Sequence, residues 1–159
     1  MSEATRIWVD ADACPGVIRD ILVRAANRAK VETIFVANQW IKLPTSPWLR
    51  AIQVPQGPDV ADDEIAAHVR AGDLVVTQDI PLAAKVIEAG ATAINPRGEP
   101  YTKDTISERL SIRNFMDELR GSGVQTGGPA PFHARDRQTF AAGVDRWLAR
   151  RPPPAAPTP

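Results

Sequence analysis

Twice in this chain a short apolar run stops at an acidic stretch and gives way to a segment of helical periodicity. Ile7-Trp8-Val9 leads through Asp10, Asp12 and Cys14 to Pro15, and Leu74-Val75-Val76 leads through Thr77 to Asp79. Runs this short read as central strands, and a proline at a first helical position reads as the start of the next helix. Strands that feed directly into helices restrict the fold to alternating layers of sheet and helix. In such sheets ligands bind at the carboxyl ends of the strands, beside helix N-termini that present unpaired N–H groups. Asp10 and Asp12 stand at that edge.

The remaining pattern extends the same plan. A strand over residues 5–10 precedes a helix over 15–30, in which Ile18, Ile21, Leu22, Ala25 and Ala29 recur at helical spacing. Residues 31–36 read as a second strand, 38–47 as a loop punctuated by Pro44 and Pro47, and 51–54 as a short third strand. Pro58-Asp59 opens a helix reaching residue 71 and closed by Gly72; strands follow at 73–77 and 91–95, around a helix at 79–89. The order predicts an α/β fold, a Rossmann-like three-layer sandwich with a mainly parallel central sheet and right-handed crossovers. Beyond it come a turn at 97–103, a helix at 104–120, a glycine- and proline-rich loop at 121–131 and a last helix at 134–150. One domain over residues 1–150 is expected, with the proline-rich tail 151–159 disordered or extended outside it.

Charge narrows the function classes. The 19 basic and 19 acidic side chains cancel, so no overall field draws the chain to nucleic acid or membranes, although a local basic face is compatible with this balance. A single cysteine excludes an internal disulfide framework and a cysteine-rich zinc site, as suits a reducing cytosol. No apolar run approaches the roughly 20 residues that span a bilayer, and the N-terminus has no signal pattern. The expectation is a cytoplasmic protein without a membrane partner, its homo-oligomeric state left open.

The acidic residues converge. Asp79 follows the strand at 73–77 and so shares the carboxyl edge with Asp10 and Asp12, and the intervening helix brings Asp59, Asp62 and Asp63 to the same edge. Asp62 shares a face with Ile65, Ala66 and Val69, which turns it toward the sheet. Carboxylates packed this closely need a cation or raised pKa values, and Mg²⁺ or Mn²⁺ takes such oxygen ligands while keeping several waters. Taken singly, each acid has a plainer reading as a helix cap; for Asp59 the cap is the preferred one, and Asp12 and Asp79 admit it.

Asp10-Ala-Asp-Ala-Cys-Pro15, Asp59-Val-Ala-Asp62, Gly72-Asp-Leu-Val-Val-Thr77, Asp79-Ile-Pro-Leu-Ala83, Asn95-Pro-Arg-Gly98 and Gly127-Gly-Pro129 resemble, in order, the motifs of the bacterial YaiI/YqxD family. The resemblance spans nearly the whole chain to about residue 150. That family is similar in fold to PIN-like domains, many of which cleave RNA with Mg²⁺ or Mn²⁺ held by carboxylates. It implies a metal-dependent nuclease with Asp10, Asp12, Asp62 and Asp79 as ligands and catalytic residues, and RNA as partner. Such a site would polarise a phosphoryl oxygen and activate a water for in-line attack.

Asp10-x-Asp12 after an apolar strand also resembles the first motif of haloacid-dehalogenase-type phosphatases, with Asp10 as nucleophile, and Thr77 and Lys85 imitate the next two. The order then fails, because Asp62 and Asp63 precede Thr77 where that family's last acidic pair follows. A third reading is a regulatory or nucleic-acid-binding module without catalysis, since no clear general base stands out. Cys14 before a helix start is either a reactive thiol or, preferably, a small residue at the helix entry. His68 and His133 have no partner at metal-ligand spacing.

For substrate binding, Arg97 and Thr77, the helix face of Arg109, Arg113 and Arg120, Lys103, and the Gly127-Gly128 loop are the candidates; the plainer alternative for the arginines is a solvated face paired with Glu108, Asp117 and Glu118. Trp40 and Trp48 read as core or interface in preference to a stacking platform.

Overall fold

The computed structural model describes residues 4–57, 59–108 and 133–150. The expected helix beyond residue 108, Arg109, Arg113, Arg120, the loop with Gly127 and Gly128, and the tail lie outside the described residues. Strand β1 (Ile7–Asp10) passes through a 3₁₀ turn (Ala11–Ala13) into α1 (Gly16–Ala29). Then follow β2 (Thr33–Ala37), β3 (Leu49–Gln53), α2 (Val60–His68), β4 (Leu74–Val76), α3 (Ile80–Glu88), β5 (Thr92–Ile94) and α4 (Ala134–Arg150). Residues 103–108 are also helical.

All strand pairs are parallel, and the sheet order is β3-β2-β1-β4-β5. The chain winds outward from β1 to β3, then returns to β4 on the other side of β1. The switch point between β1 and β4 leaves a crevice at their carboxyl ends.

Strand alternation divides the core in two. Ile7, Val9, Phe35, Leu74 and Val76 point to the face covered by α1 and α4, where Leu22, Phe140 and Trp147 pack on them. Trp8, Ile34, Val36 and Val75 point to the opposite face, under Ile65 of α2, Leu82 and Val86 of α3, and Ile106. Both faces of the central strands β2, β1 and β4 are thus buried, which is why these strands read as apolar runs and not as alternating ones.

Local differences from the sequence pattern have physical causes. Pro15 sits at the N-cap of α1, one residue before the helix proper. Strand β3 starts at Leu49, earlier than the apolar pattern suggested, because the Thr33 N–H donates to the Trp48 carbonyl and sets the register Thr33 to Leu49. The connection from β2 to β3 contains no helix; Ile41 is buried, and Leu43 and Trp48 pack against the α1-side core in its place.

Helix α2 stops at His68, short of the expected residue 71, where Val69 turns extended. The buried Asp73 carboxylate takes the Arg70 N–H at 3.0 Å, along with the Arg6 N–H at 3.0 Å and the Trp8 indole N–H at 3.1 Å. Those bonds pull the chain out of the helix and into β4. Among the described residues no helix is long and apolar enough to cross a membrane.

Candidate metal centre

The crevice at the switch point is built by four segments: the end of β1, the 3₁₀ turn after it, the start of α2 and the turn from β4 into α3. Thr77, buried at the end of β4, organises two of them. Its hydroxyl donates to Asp10 Oδ2 at 3.0 Å and accepts from the Asp79 N–H at 2.9 Å, while its carbonyl accepts from the Tyr101 hydroxyl at 3.1 Å. Thr77, expected to contact substrate, is therefore committed to holding two acids in place.

Asp79 does cap α3, its Oδ1 accepting from the Leu82 N–H at 2.8 Å. That bond fixes the carboxylate without exhausting it, since each carboxylate offers several lone pairs. Asp59 stands at the N-cap position of α2 in the left-handed conformation, with φ of 64°, and its side chain makes no capping hydrogen bond. The preferred reading of Asp59 as a cap holds for its position only. Its exposed carboxylate turns instead toward its neighbours: one ligand oxygen from each of Asp59, Asp62 and Asp79 lies within 4.8 Å of the others.

The expected set of Asp10, Asp12, Asp62 and Asp79 is thus redistributed. Asp62 and Asp79 meet, Asp59 joins them, and Asp10 and Asp12 stand outside that tight group. Asp10 is drawn toward Thr77. Asp12 receives the Asn38 N–H on both oxygens, at 3.1 and 2.8 Å, which ties the 3₁₀ turn to the end of β2. Both still line a cavity of about 150 Å³ together with Asn38, Asp59 and Asp62. No sequence signal promotes Asp59; its left-handed backbone, in which the side chain makes no capping bond, shows only in the folded chain.

The electrostatics match the crowding. Burial, then the charge of Asp79 and a hydrogen bond with it, then Asp10 and Asp59, push the Asp62 carboxyl up to about 7. Burial raises Asp10 as well, against the Thr77 hydrogen bond that lowers it and with Asp79 and Asp12 adding to the rise. A proton shared in the cluster does what a bound cation would do, namely relieve like charges held close together. The donor set fits a hard divalent cation: all-oxygen, acidic, and beside a cavity with room for the waters that Mg²⁺ or Mn²⁺ retains.

Other candidates are placed elsewhere. The Arg97 guanidinium, expected at substrate, pairs with Asp136 at 2.8 Å and joins the β5 turn to α4. Burial pushes the Cys14 thiol up to about 12, which suits a packed residue at the helix entry and not a nucleophile. His68, the last residue of α2, stacks on Trp8 with ring centroids 6.1 Å apart and pairs with Glu64. His133 is exposed, its N–H on Asp136. Lys103 is exposed at the start of the 103–108 helix.

These features define a parallel α/β protein with a carboxylate cluster at its switch point. The chain belongs to the YaiI/YqxD family of uncharacterised bacterial proteins, whose profile matches residues 8–150. It is similar to the UPF0178 protein of Xanthomonas oryzae, with 68% identity over 149 residues that cover 94% of this chain and 92% of the relative. The UPF0178 protein of Halorhodospira halophila is 65% identical over 147 residues, covering 92% of this chain and 97% of the relative. That of Xanthomonas campestris is 65% identical over 146 residues, covering 92% and 91%. No solved structure matches the chain.

Proposed function

We propose that this chain is a divalent-cation-dependent phosphodiesterase acting on RNA. The observation that supports this most directly is the approach of the Asp59, Asp62 and Asp79 carboxylate oxygens to within 4.8 Å at the carboxyl edge of a parallel sheet. Asp59, Asp62 and Asp79 would hold Mg²⁺ or Mn²⁺, which when bound lowers the pKa of water and polarises a phosphoryl oxygen. Asp10, lining the same cavity and with its carboxyl raised by burial, is suited to accept a proton from an attacking water. Thr77 positions Asp10 and Asp79 relative to each other through its single hydroxyl. Asp12 braces the wall of the crevice through the Asn38 N–H.

Calorimetric titration with Mn²⁺, paired with a cleavage assay on single-stranded RNA, tests the reading. The wild-type chain should bind Mn²⁺ and cleave, and Asp62→Asn and Asp79→Asn should each weaken binding at least tenfold and abolish cleavage. Cleavage that persists in both variants, or in EDTA, would sink it. Mn²⁺ binding without cleavage would leave a cation-holding module in place of an enzyme.

A further inference from the structure

Beside the acidic crevice runs a groove of opposite charge. It lies between α1 and the β2–β3 connection, has a volume of about 640 Å³, and is lined by Arg19, Arg24 and Lys42 over Val23 and Leu43, with Asp20 as the one acid among its lining residues. Among the described residues none of the three cations has an ion-pair partner. Unpaired cations around a concave, partly apolar floor suit a chain of phosphates.

Both walls of the groove lead back to the crevice. On the α1 side, Arg19 and Asp10 are each close enough to Cys14 for their charges to act on its thiol. On the other side, one stretch of chain lines both places: Asn38 borders the acidic cavity, and Lys42 and Leu43 border the groove. From Asn38 to Lys42 an extended chain spans at most about 14 Å. Between them stands Trp40, 73% exposed, whereas Trp48 of the same connection is half-buried and packs against the core. An indole left this far in water, beside a row of cations and one step from a carboxylate crevice, has the form of a base-stacking platform.

Building on the phosphodiesterase reading, we infer that single-stranded nucleic acid lies along this groove, its phosphates on Arg19, Arg24 and Lys42, and stacks a base on Trp40 before the strand enters the acidic crevice. A duplex cannot use this arrangement, because its bases are already stacked and their faces closed. The division of charge also explains how a chain of zero net charge would hold a polyanion: the attraction is local to the groove.

The test is fluorescence anisotropy of a labelled short oligouridine with the full chain in EDTA, so that binding is read without metal or cleavage. Trp40→Ala should weaken binding about tenfold, the loss of one stacked base. The triple variant Arg19→Ala, Arg24→Ala, Lys42→Ala should flatten the dependence of log K on log salt by about 0.7 for each lost phosphate contact. Arg146→Glu, on α4 and outside the groove, should bind as wild type, and a blunt duplex should bind more weakly than the single strand. Thermal melts confirm that each variant is folded. Wild-type affinity in both groove variants, an equal loss in Arg146→Glu, preference for the duplex, or no binding of oligouridine by the wild-type chain would each overturn the inference. Groove-dependent binding without Mn²⁺-dependent cleavage would fail the phosphodiesterase and spare the groove; cleavage unaffected by the groove variants would do the reverse.

Discussion

Asp62 gathers the effects of the crowded carboxylates in one group. Its pKa is raised from 3.8 to about 7 in the folded chain, so folding keeps a proton there that the unfolded chain gives up. Stability from this group is therefore full below the unfolded value and falls as pH rises through the window from about 4 to about 7. Without metal, the wild-type chain should lose melting temperature across that window relative to Asp62→Asn, which carries no titrating group there. With Mn²⁺ present the sign reverses, since cation and proton compete for the same oxygens, and the protection should grow as pH rises through 7. Melting curves of both chains at several pH values, in EDTA and in Mn²⁺, check this; a difference between the two chains that does not vary with pH would refute it. At this scale Asp62 and Asp79 were legible as members of the acidic cluster from strand ends and helix starts. Asp59 was not, because an aspartate at an N-cap is ordinarily consumed by the helix, and only its left-handed backbone shows that it is not.

The elements are held in register from the edge opposite the site. Asp73 is 2% exposed and accepts from Arg6, Trp8 and Arg70, which joins β1, the end of α2 and the start of β4 at one carboxylate. Removing it leaves one buried donor, the Trp8 indole N–H, and two part-buried backbone N–H groups without partners, at about 1–3 kcal/mol for a fully buried group and less for the others. Asp73→Ala should therefore lower the unfolding free energy by about 3 kcal/mol or more in chemical denaturation, with Asp73→Asn costing less because it retains an acceptor. A loss below about 1 kcal/mol would show that water replaces the carboxylate. Sequence periodicity placed every strand and helix of the sandwich because the core faces of each repeat at the period of its own backbone. It missed the end of α2 and the start of β3: Asp73, held by its long-range bonds to Arg6 and Trp8, draws the Arg70 N–H out of the helix, and Thr33 bonds across to Trp48.

For the whole molecule, α4 closes the sandwich against the turn after β5. Gly98 has φ of 84°, and a Cβ there would lie 2.5 Å from the Phe140 nitrogen and 2.6 Å from the Thr139 carbonyl oxygen, both backbone atoms that cannot swing aside. Asn95 shapes the same turn, its Oδ1 accepting from the Arg97 and Glu99 N–H groups, and the Arg97–Asp136 pair bolts the turn to the helix start. Gly98→Ala should cost more than about 2 kcal/mol, the positive φ supplying part and the displaced helix the rest. Phe140, fully buried beneath that contact, should then lose packing, read as a lower melting temperature and faster amide exchange along α4. An unchanged melting temperature would mean that α4 docks independently of the turn.

The sequence by itself determined the layered α/β plan and the edge at which the carboxylates collect, because periodicity and strand-to-helix transitions are local properties of the chain. Tertiary structure alone decided which acids meet, that Thr77 tethers them, that Arg97 is spent on Asp136, and that Trp40 stays in water while the half-buried Trp48 packs against the core. Those outcomes depend on distances between segments far apart in the chain, which no local pattern encodes.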